Sequence, residues 1–392
     1  MTRRVGALAM VLAIPALAMS VARSADRPTD PPSDPALKHA NRLLSRAILV
    51  DGHNDLPIMI RFNRKAPGDL DAYDLRERTI GQTDIPRLRA GRVGAQFWSV
   101  FIPAEGRLPF ARTQLEQIEL ARRLIGRYPE TLQFAGSVAE IRAAHRHGRI
   151  ASLLGMEGGQ GLENSLGALR AYYDLGVRYM TLTHNSHTDW ADSAAELPPR
   201  HDGLTAFGEE VVREMNRLGM LVDLSHTSAA TMADAIRVSE APVIFSHSAA
   251  RGLCDITRNA PDDILRELPR NGGVIMVTFV AGFVDCGVGR EPGGPTTTIA
   301  RVVDHIDYIR GIAGVDHLGI GSDFDGNWKW PDGLSDVSMF PHLFAELIRR
   351  GWSDADLRKL AGENVLRAMA KAERVAARLQ RERPASTAVF GP

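Results

Sequence analysis

The stretch LVDGHNDLP, residues 49–57, carries an apolar run straight into polar groups. Leu49 and Val50 close the run, and Asp51, His53, Asn54 and Asp55 follow at once. Side chains two apart on a strand point the same way, so His53 and Asp55 are placed to hold one object between them. A doubly wound open sheet usually carries a Gly-rich phosphate loop after its first strand. His-Asn-Asp stands here instead, which favours a closed barrel.

Short apolar, β-branched runs recur along the rest of the chain. They are 47–50, 93–101, 150–156, 177–183, 220–224, 243–246, 274–279 and 318–322. Helical patterns lie between them. Phe207, Val211, Met215 and Leu218 form one apolar stripe, with Thr205 as a candidate N-cap and Gly219 as a C′ glycine. Leu166, Leu169 and Tyr173 precede Gly176, and Val302, Ile306 and Ile309 precede Gly311 in the same way. Strands that alternate with helices build parallel βαβ units. Eight such units in one chain predict an α/β fold, a (β/α)8 TIM-type barrel.

The residues after these runs share a chemistry. The first run ends in His53 and Asp55, the third in Glu157, the fourth in His184, the fifth in His226, the sixth in His247 and the eighth in Asp323 and Asp325. In such a barrel these ends lie on one face, where active sites form. Imidazole and carboxylate together suit divalent transition metals, zinc above all. The set is too large for one four-coordinate ion and suits two ions sharing a carboxylate. Glu157, alone at its strand end and followed by Gly158-Gly159, is the candidate bridge. His145 and His147 read as surface, His305 and His317 lie on the wrong side of the barrel, and His187 has an open role in a long loop, 185–204, that contains Asp189, Trp190 and Asp192.

The formal net charge is zero, which gives no footprint for nucleic acid or an acidic membrane surface. Arg3 and Arg4 precede an apolar run from Val5 to Ala18, followed by small residues. Residues 1–22 therefore read as a signal peptide, cleaved after Ala18 or Ala22, and the mature chain as exported to the periplasm or outside. The run is short for a membrane span, and no second one follows. Residues 23–45 read as a lead-in, 46–372 as the catalytic domain and 373–392 as a tail. The two Cys, Cys254 and Cys286, are either one disulfide or two buried thiols.

The ordered motifs DGHND, GMEGG, LTHN, DLSH, FSHS, TRNAPDD and GSDFDG resemble the renal or membrane dipeptidase family of zinc peptidases, from about Asp51 to about Met369. GENVLRAM, from Gly362, is similar to the family's closing helix. The resemblance implies a (β/α)8 barrel with two zinc ions. His53, Asp55 and Glu157 would hold one ion, and Glu157, His226 and His247 the other. It assigns substrate binding to His184 and Arg258, and the acidic group at the reacting centre to Asp323. It also implies a Cys254–Cys286 disulfide. The Cys of a second family disulfide, and the one that links subunits in some animal members, are missing, so any homodimer would be non-covalent.

The activity so implied is hydrolysis of free dipeptides, D-residues at the second position included, by a hydroxide shared between the metals. His184 would donate to the developing oxyanion, and Asp323 would move the proton. Arg258 would grip the substrate carboxylate bidentately, unless it pairs with Asp262 or Asp263 instead. Two other readings stand beside this one. The first is a metal hydrolase of N-acyl amino acids or lactones, and the second is a binding protein on a dead barrel.

Overall fold

The computed structural model describes residues 34–104, 109–289 and 293–391. The expected signal peptide and residues 23–33 of the lead-in fall outside these residues. Nine strands lie among the described residues, in chain order: β1 (Leu49–Asn54), β2 (Val93–Ser99), β3 (Leu132–Phe134), β4 (Ile150–Glu157), β5 (Val177–Thr181), β6 (Leu221–Asp223), β7 (Ile244–Ser248), β8 (Val274–Val277) and β9 (Leu318–Ile320). All pairings between them are parallel. β2 pairs with β4, and β9 pairs with β1, so eight strands close a ring in the order β1-β2-β4-β5-β6-β7-β8-β9. This is the expected (β/α)8 barrel.

β3 was not expected. It pairs with Ile150–Ser152 at the start of β4, on the side that β5 leaves open by beginning opposite Leu154. Strand boundaries also move, and two of the shifts bear on the site. β1 extends to Asn54, which puts His53 inside the strand, and β5 stops at Thr181, which puts His184 in the following loop.

Strands buried on both faces explain the continuous apolar runs. β1, β2, β4 and β7 are buried along their whole length. Phe97, Leu153, Tyr179, Leu221, Ile244 and Met276 fill the barrel, and Val365, Leu366 and Met369 of a C-terminal helix pack against them. That helix, Asn364–Glu382, closes the end where strands begin: Asn364 Nδ2 donates to Leu318 O at 2.9 Å. It continues past the boundary expected at 372 and buries Val375, Ala376 and Leu379. A helix at Pro35–Leu44, inside the expected lead-in, likewise buries Ala40, Leu43 and Leu44. No helix among the described residues is long and apolar enough to cross a membrane.

The predicted helix signals hold in detail where caps are present. Thr205 accepts from Gly208 N and opens helix Ala206–Leu218, which stops at Gly219. In helix Leu166–Asp174 the buried face carries Tyr172 rather than Tyr173, a one-residue turn of the expected stripe. Helix Ile299–Ala313 runs through Gly311 and stops at Gly314.

Cys254 and Cys286 form a disulfide, with Cα atoms 5.2 Å apart and a sequence separation of 32. In the chain-entropy account a loop of this size contributes about 3–4 kcal/mol. Both Cys of the chain are used, which leaves no thiol for a covalent dimer.

His305 on helix Ile299–Ala313 is fully buried. Its Nδ1 accepts from Ala250 N at 3.1 Å, and its Nε2 donates to Val284 O at 2.8 Å. The ring thus ties the helix to the segments after β7 and β8 as a neutral imidazole. Burial pushes its pKa down to about 4. An unfolded His takes its proton near pH 6.5. The unfolded chain therefore binds the proton first on acidification. The stabilisation is complete above pH 6.5 and is lost as pH falls toward 4, by roughly 3 kcal/mol in all. His305→Gln should flatten the fall in unfolding free energy between pH 6.5 and 4.5. An equally steep fall in both proteins would exclude this role for His305.

Candidate active site

The strand ends bring their side chains together at one mouth. His53, Asp55, Glu157, His226, His247, Arg258 and Asp323 are all buried there, and the side chain of His184 is 14% exposed. Glu157 stands at the centre with its two oxygens facing different partners. Oε2 lies 3.4 Å from His53 Nε2, which is itself 3.2 Å from Asp55 Oδ2. Oε1 lies 3.0 Å from His226 Nε2, 3.3 Å from His247 Nε2 and 3.9 Å from His184 Nε2.

The fit of this donor set to metal ions depends on where its protons sit. His53 Nδ1 is 2.7 Å from Tyr179 Oη, and the Tyr179 hydroxyl donates to Gly52 O at 3.1 Å. With that proton used, Nδ1–H is the donor and Nε2 faces two carboxylates. His53 Nε2 and Asp55 Oδ1 have no hydrogen-bond partner although both are buried. Buried acceptors that converge without a donor need a cation. Burial opposes a charge on His53, but Tyr179, Glu157 and Asp55 outweigh it and push the ring well above the ordinary His range. A proton supplies the positive charge in one form of the site, and a metal ion can supply it in another.

The other half is different. Burial, reinforced by Arg258 and His184, holds His226 well below the usual His range, and burial with His53 does the same to His247. Two neutral rings thus set Nε2 atoms 3.0 Å apart against one carboxylate oxygen. Donors about 2.0–2.1 Å from a tetrahedral ion stand roughly 3.3 Å from one another, close to these separations. Burial works against the charge of Glu157, but the rings of His53, His226 and His247 around it keep it well below the usual carboxylate range.

Among the described residues, ligand-capable atoms lie within 4.8 Å of one another in three overlapping groups: His53, Glu157 and His247; Glu157, His184 and His226; His53, Asp55 and Asp323. The grouping is less cleanly divided than the two expected sets. His184 and Asp323, expected to serve substrate and proton, also stand within reach of the atoms expected to ligate metal. Asp325 does not join the cluster, because its Oδ1 accepts from Gln82 N at 2.7 Å.

The backbone bends sharply at this mouth. His226, Asp323 and Asp325 have φ near +65°, at 64°, 65° and 67°. Each such non-Gly residue costs about 1–3 kcal/mol and persists where the surroundings impose it. Gly158, at φ 99°, makes the turn after Glu157. At Gly326 a Cβ would lie 2.3 Å from Asp55 Oδ2 and 2.6 Å from Asp323 Oδ1, so no larger residue fits without moving both carboxylates. Burial first, then Asp55 and Glu157, raise Asp323 well above the usual carboxylate range, so it can hold a proton here.

Arg258 donates from Nη1 to Ser248 Oγ and from Nη2 to His247 O, both at 2.9 Å, and lies over the Phe283 ring at 5.1 Å. It is held beside the site, while Asp262 accepts from the Tyr308 hydroxyl at 2.9 Å and lies 3.7 Å from Arg266. The loop 185–204 carries a scaffold of its own. Trp190 is buried inside it, and Asp192 accepts from the backbone of Arg200, His201 and Gly203. His187 braces it, accepting from Ser193 N at 2.9 Å. Ser193 Oγ in turn donates to His184 O at 2.6 Å.

Several supporting residues escaped the sequence reading. Tyr179 orients His53 from across the barrel. Asp51 accepts from Ser322 N and Ser322 Oγ, both at 2.7 Å, and joins β1 to the segment that carries Asp323. Burial pushes the Asp51 carboxyl up to about 6. The only signal for Asp51 was its place in DGHND, two residues before the ligand-like His.

The family profile described as membrane dipeptidase (peptidase family M19) matches residues 37–383. Dipeptidase 3 of Rattus norvegicus is 45% identical over 336 residues, which cover 83% of this chain and 65% of that protein. The chain thus spans about 65% of the length of the curated relatives it matches. Among solved structures, the probable dipeptidase PvdM from Pseudomonas aeruginosa is 26% identical with a TM-score of 0.77, over 87% of this chain and 99% of that one. A metallo peptidase from Rhodobacter sphaeroides, liganded with a phosphinate mimic of the dipeptide L-Ala-D-Ala, is 25% identical with a TM-score of 0.74, over 83% of this chain and 99% of that one. The profile runs through every barrel strand and every clustered side chain, and by it the chain belongs to the membrane dipeptidase family, peptidase family M19.

Proposed function

We propose that this chain is a zinc-dependent dipeptidase that binds two ions per chain and cleaves the peptide bond of free dipeptides. The observation that carries the reading is the division of Glu157, whose Oε2 faces His53 and whose Oε1 faces His226 and His247. A carboxylate so divided suits a bridge between two ions. His53 and Asp55 would complete one site, and His226 and His247 the other. Bound there, two divalent ions would supply acidified water as the nucleophile and polarise the scissile carbonyl.

The chain's own residues do the rest. Arg258 holds the substrate carboxylate, which selects short peptides with a free C-terminus. His184 donates a hydrogen bond to the carbonyl oxygen as negative charge grows there. Asp323, as a carboxylate whose basicity burial raises, takes the proton of the attacking water and then, as the acid so formed, delivers it to the leaving amine. The relative that binds a phosphinate mimic of L-Ala-D-Ala supports tolerance of a D-residue at the second position. We also propose export, on the N-terminal signal pattern and on a disulfide of the kind that persists in oxidising compartments.

The test is a hydrolysis panel of free dipeptides, dipeptide amides and N-acyl amino acids. Free dipeptides should be cleaved best. Arg258→Lys keeps the charge but loses the fork, so it should raise KM for free dipeptides and leave amides nearly unchanged. Equal effects on both substrates would remove the carboxylate grip. Faster cleavage of N-acyl amino acids would make the chain a different amidohydrolase, and no hydrolysis with no bound metal would make it a binding protein.

A further inference from the structure

The DLSH motif contains an aspartate that the proposed reaction does not use. Asp223 ends β6 and is fully buried. As a carboxylate it accepts from four donors: Ser246 N at 2.7 Å, Ser246 Oγ at 2.6 Å, Thr181 Oγ1 at 2.5 Å and Ser225 N at 3.2 Å. It therefore ties β5, β6 and β7 together directly beneath the cluster. Ser246 Oγ also lies 2.8 Å from His247 Nδ1.

Ser246 has one hydroxyl proton. Donated to Asp223, it leaves only oxygen lone pairs for His247. Nδ1 must then carry the imidazole proton, and Nε2 must present a lone pair toward Glu157 Oε1, 3.3 Å away. We propose that Asp223 is a positioning residue that acts through Ser246 to fix the tautomer and orientation of His247 for metal binding. The inference rests on the two-ion reading. The partner of the other imidazole nitrogen decides which nitrogen is free to bind a metal. Here that partner is a neutral hydroxyl, and its polarity is set by a carboxylate one bond further away.

The two ends of the relay make different predictions from a simple packing role. In Asp223→Asn an amide N–H directed at Ser246 Oγ would turn the serine proton toward His247 Nδ1. Nε2 would then carry the hydrogen and face the site with no lone pair. Ser246→Ala removes the link but keeps the other donors to Asp223. Ser246→Thr restores a hydroxyl.

Zinc binding by the full chain, measured by competition with a chromophoric chelator, reads the effect without activity. Asp223→Asn and Ser246→Ala should weaken one of the two zinc equivalents by about 10–100-fold, and leave the other within about threefold. Ser246→Thr should restore it. The denaturation midpoint of metal-free Ser246→Ala should stay near that of the parent. Unchanged affinity in Ser246→Ala, or equal weakening of both equivalents, would overturn the relay while leaving two-ion binding intact. A parent chain that binds no zinc would overturn the two-ion reading and the relay with it.

Discussion

Glu157→Gln is expected to cost the protein both metal ions. Glutamine offers one carbonyl oxygen, and its amide group would point an N–H at either His53 or the His226–His247 pair. Neither half would keep an anionic oxygen. Glu157 serves both halves, with Oε2 at 3.4 Å from one ring and Oε1 at 3.0 and 3.3 Å from two others. Hydrolysis should fall by more than about a hundredfold, above the range for residues that only support a ligand. Asp55→Asn, by contrast, should weaken a single ion, because Asp55 meets only the His53 half. Metal content after dialysis against a chelator separates the cases. Two tightly held equivalents in Glu157→Gln would exclude the bridge.

The second large effect separates proton transfer from metal binding. Asp323→Asn keeps the size of the side chain and removes the base. If Asp323 moves protons only as the transition state forms, kcat should drop by at least about a hundredfold, with KM little changed. Both ions should stay bound. The geometry makes this a real contest, since Asp323 shares a ligand-capable group with His53 and Asp55. Loss of one zinc equivalent, with kcat per remaining holoenzyme unchanged, would make Asp323 a ligand.

The barrel was legible because each strand is buried on both faces and reads as an apolar run, and because the runs end in a shared chemistry. β3 was not legible, since Leu132-Gln133-Phe134 buries only its first residue and makes no apolar run. The helix Pro35–Leu44 was hidden by the Pro-rich and Asp-rich stretch before it. The long-range supports were out of reach for another reason. Tyr179 meets His53 across 126 positions of sequence, and Asp51 meets Ser322 across 271. Nothing local marks either partner. The expected roles of His184 and Asp323 came from motif resemblance, whereas whether a strand-end group binds metal or substrate depends on distances. His184 Nε2 at 3.9 Å from Glu157 Oε1 lies between those roles, and no spacing in the chain encodes that.

The division of the mouth into two ion sites sharing Glu157 is tested most directly by zinc titration of the metal-stripped chain, with hydrolysis of a free dipeptide read at each addition. The account predicts no hydrolysis without metal and a maximum at two equivalents per chain, with Glu157→Gln flat throughout. Full hydrolysis by the stripped chain, or a maximum at one equivalent with no further binding, would contradict it.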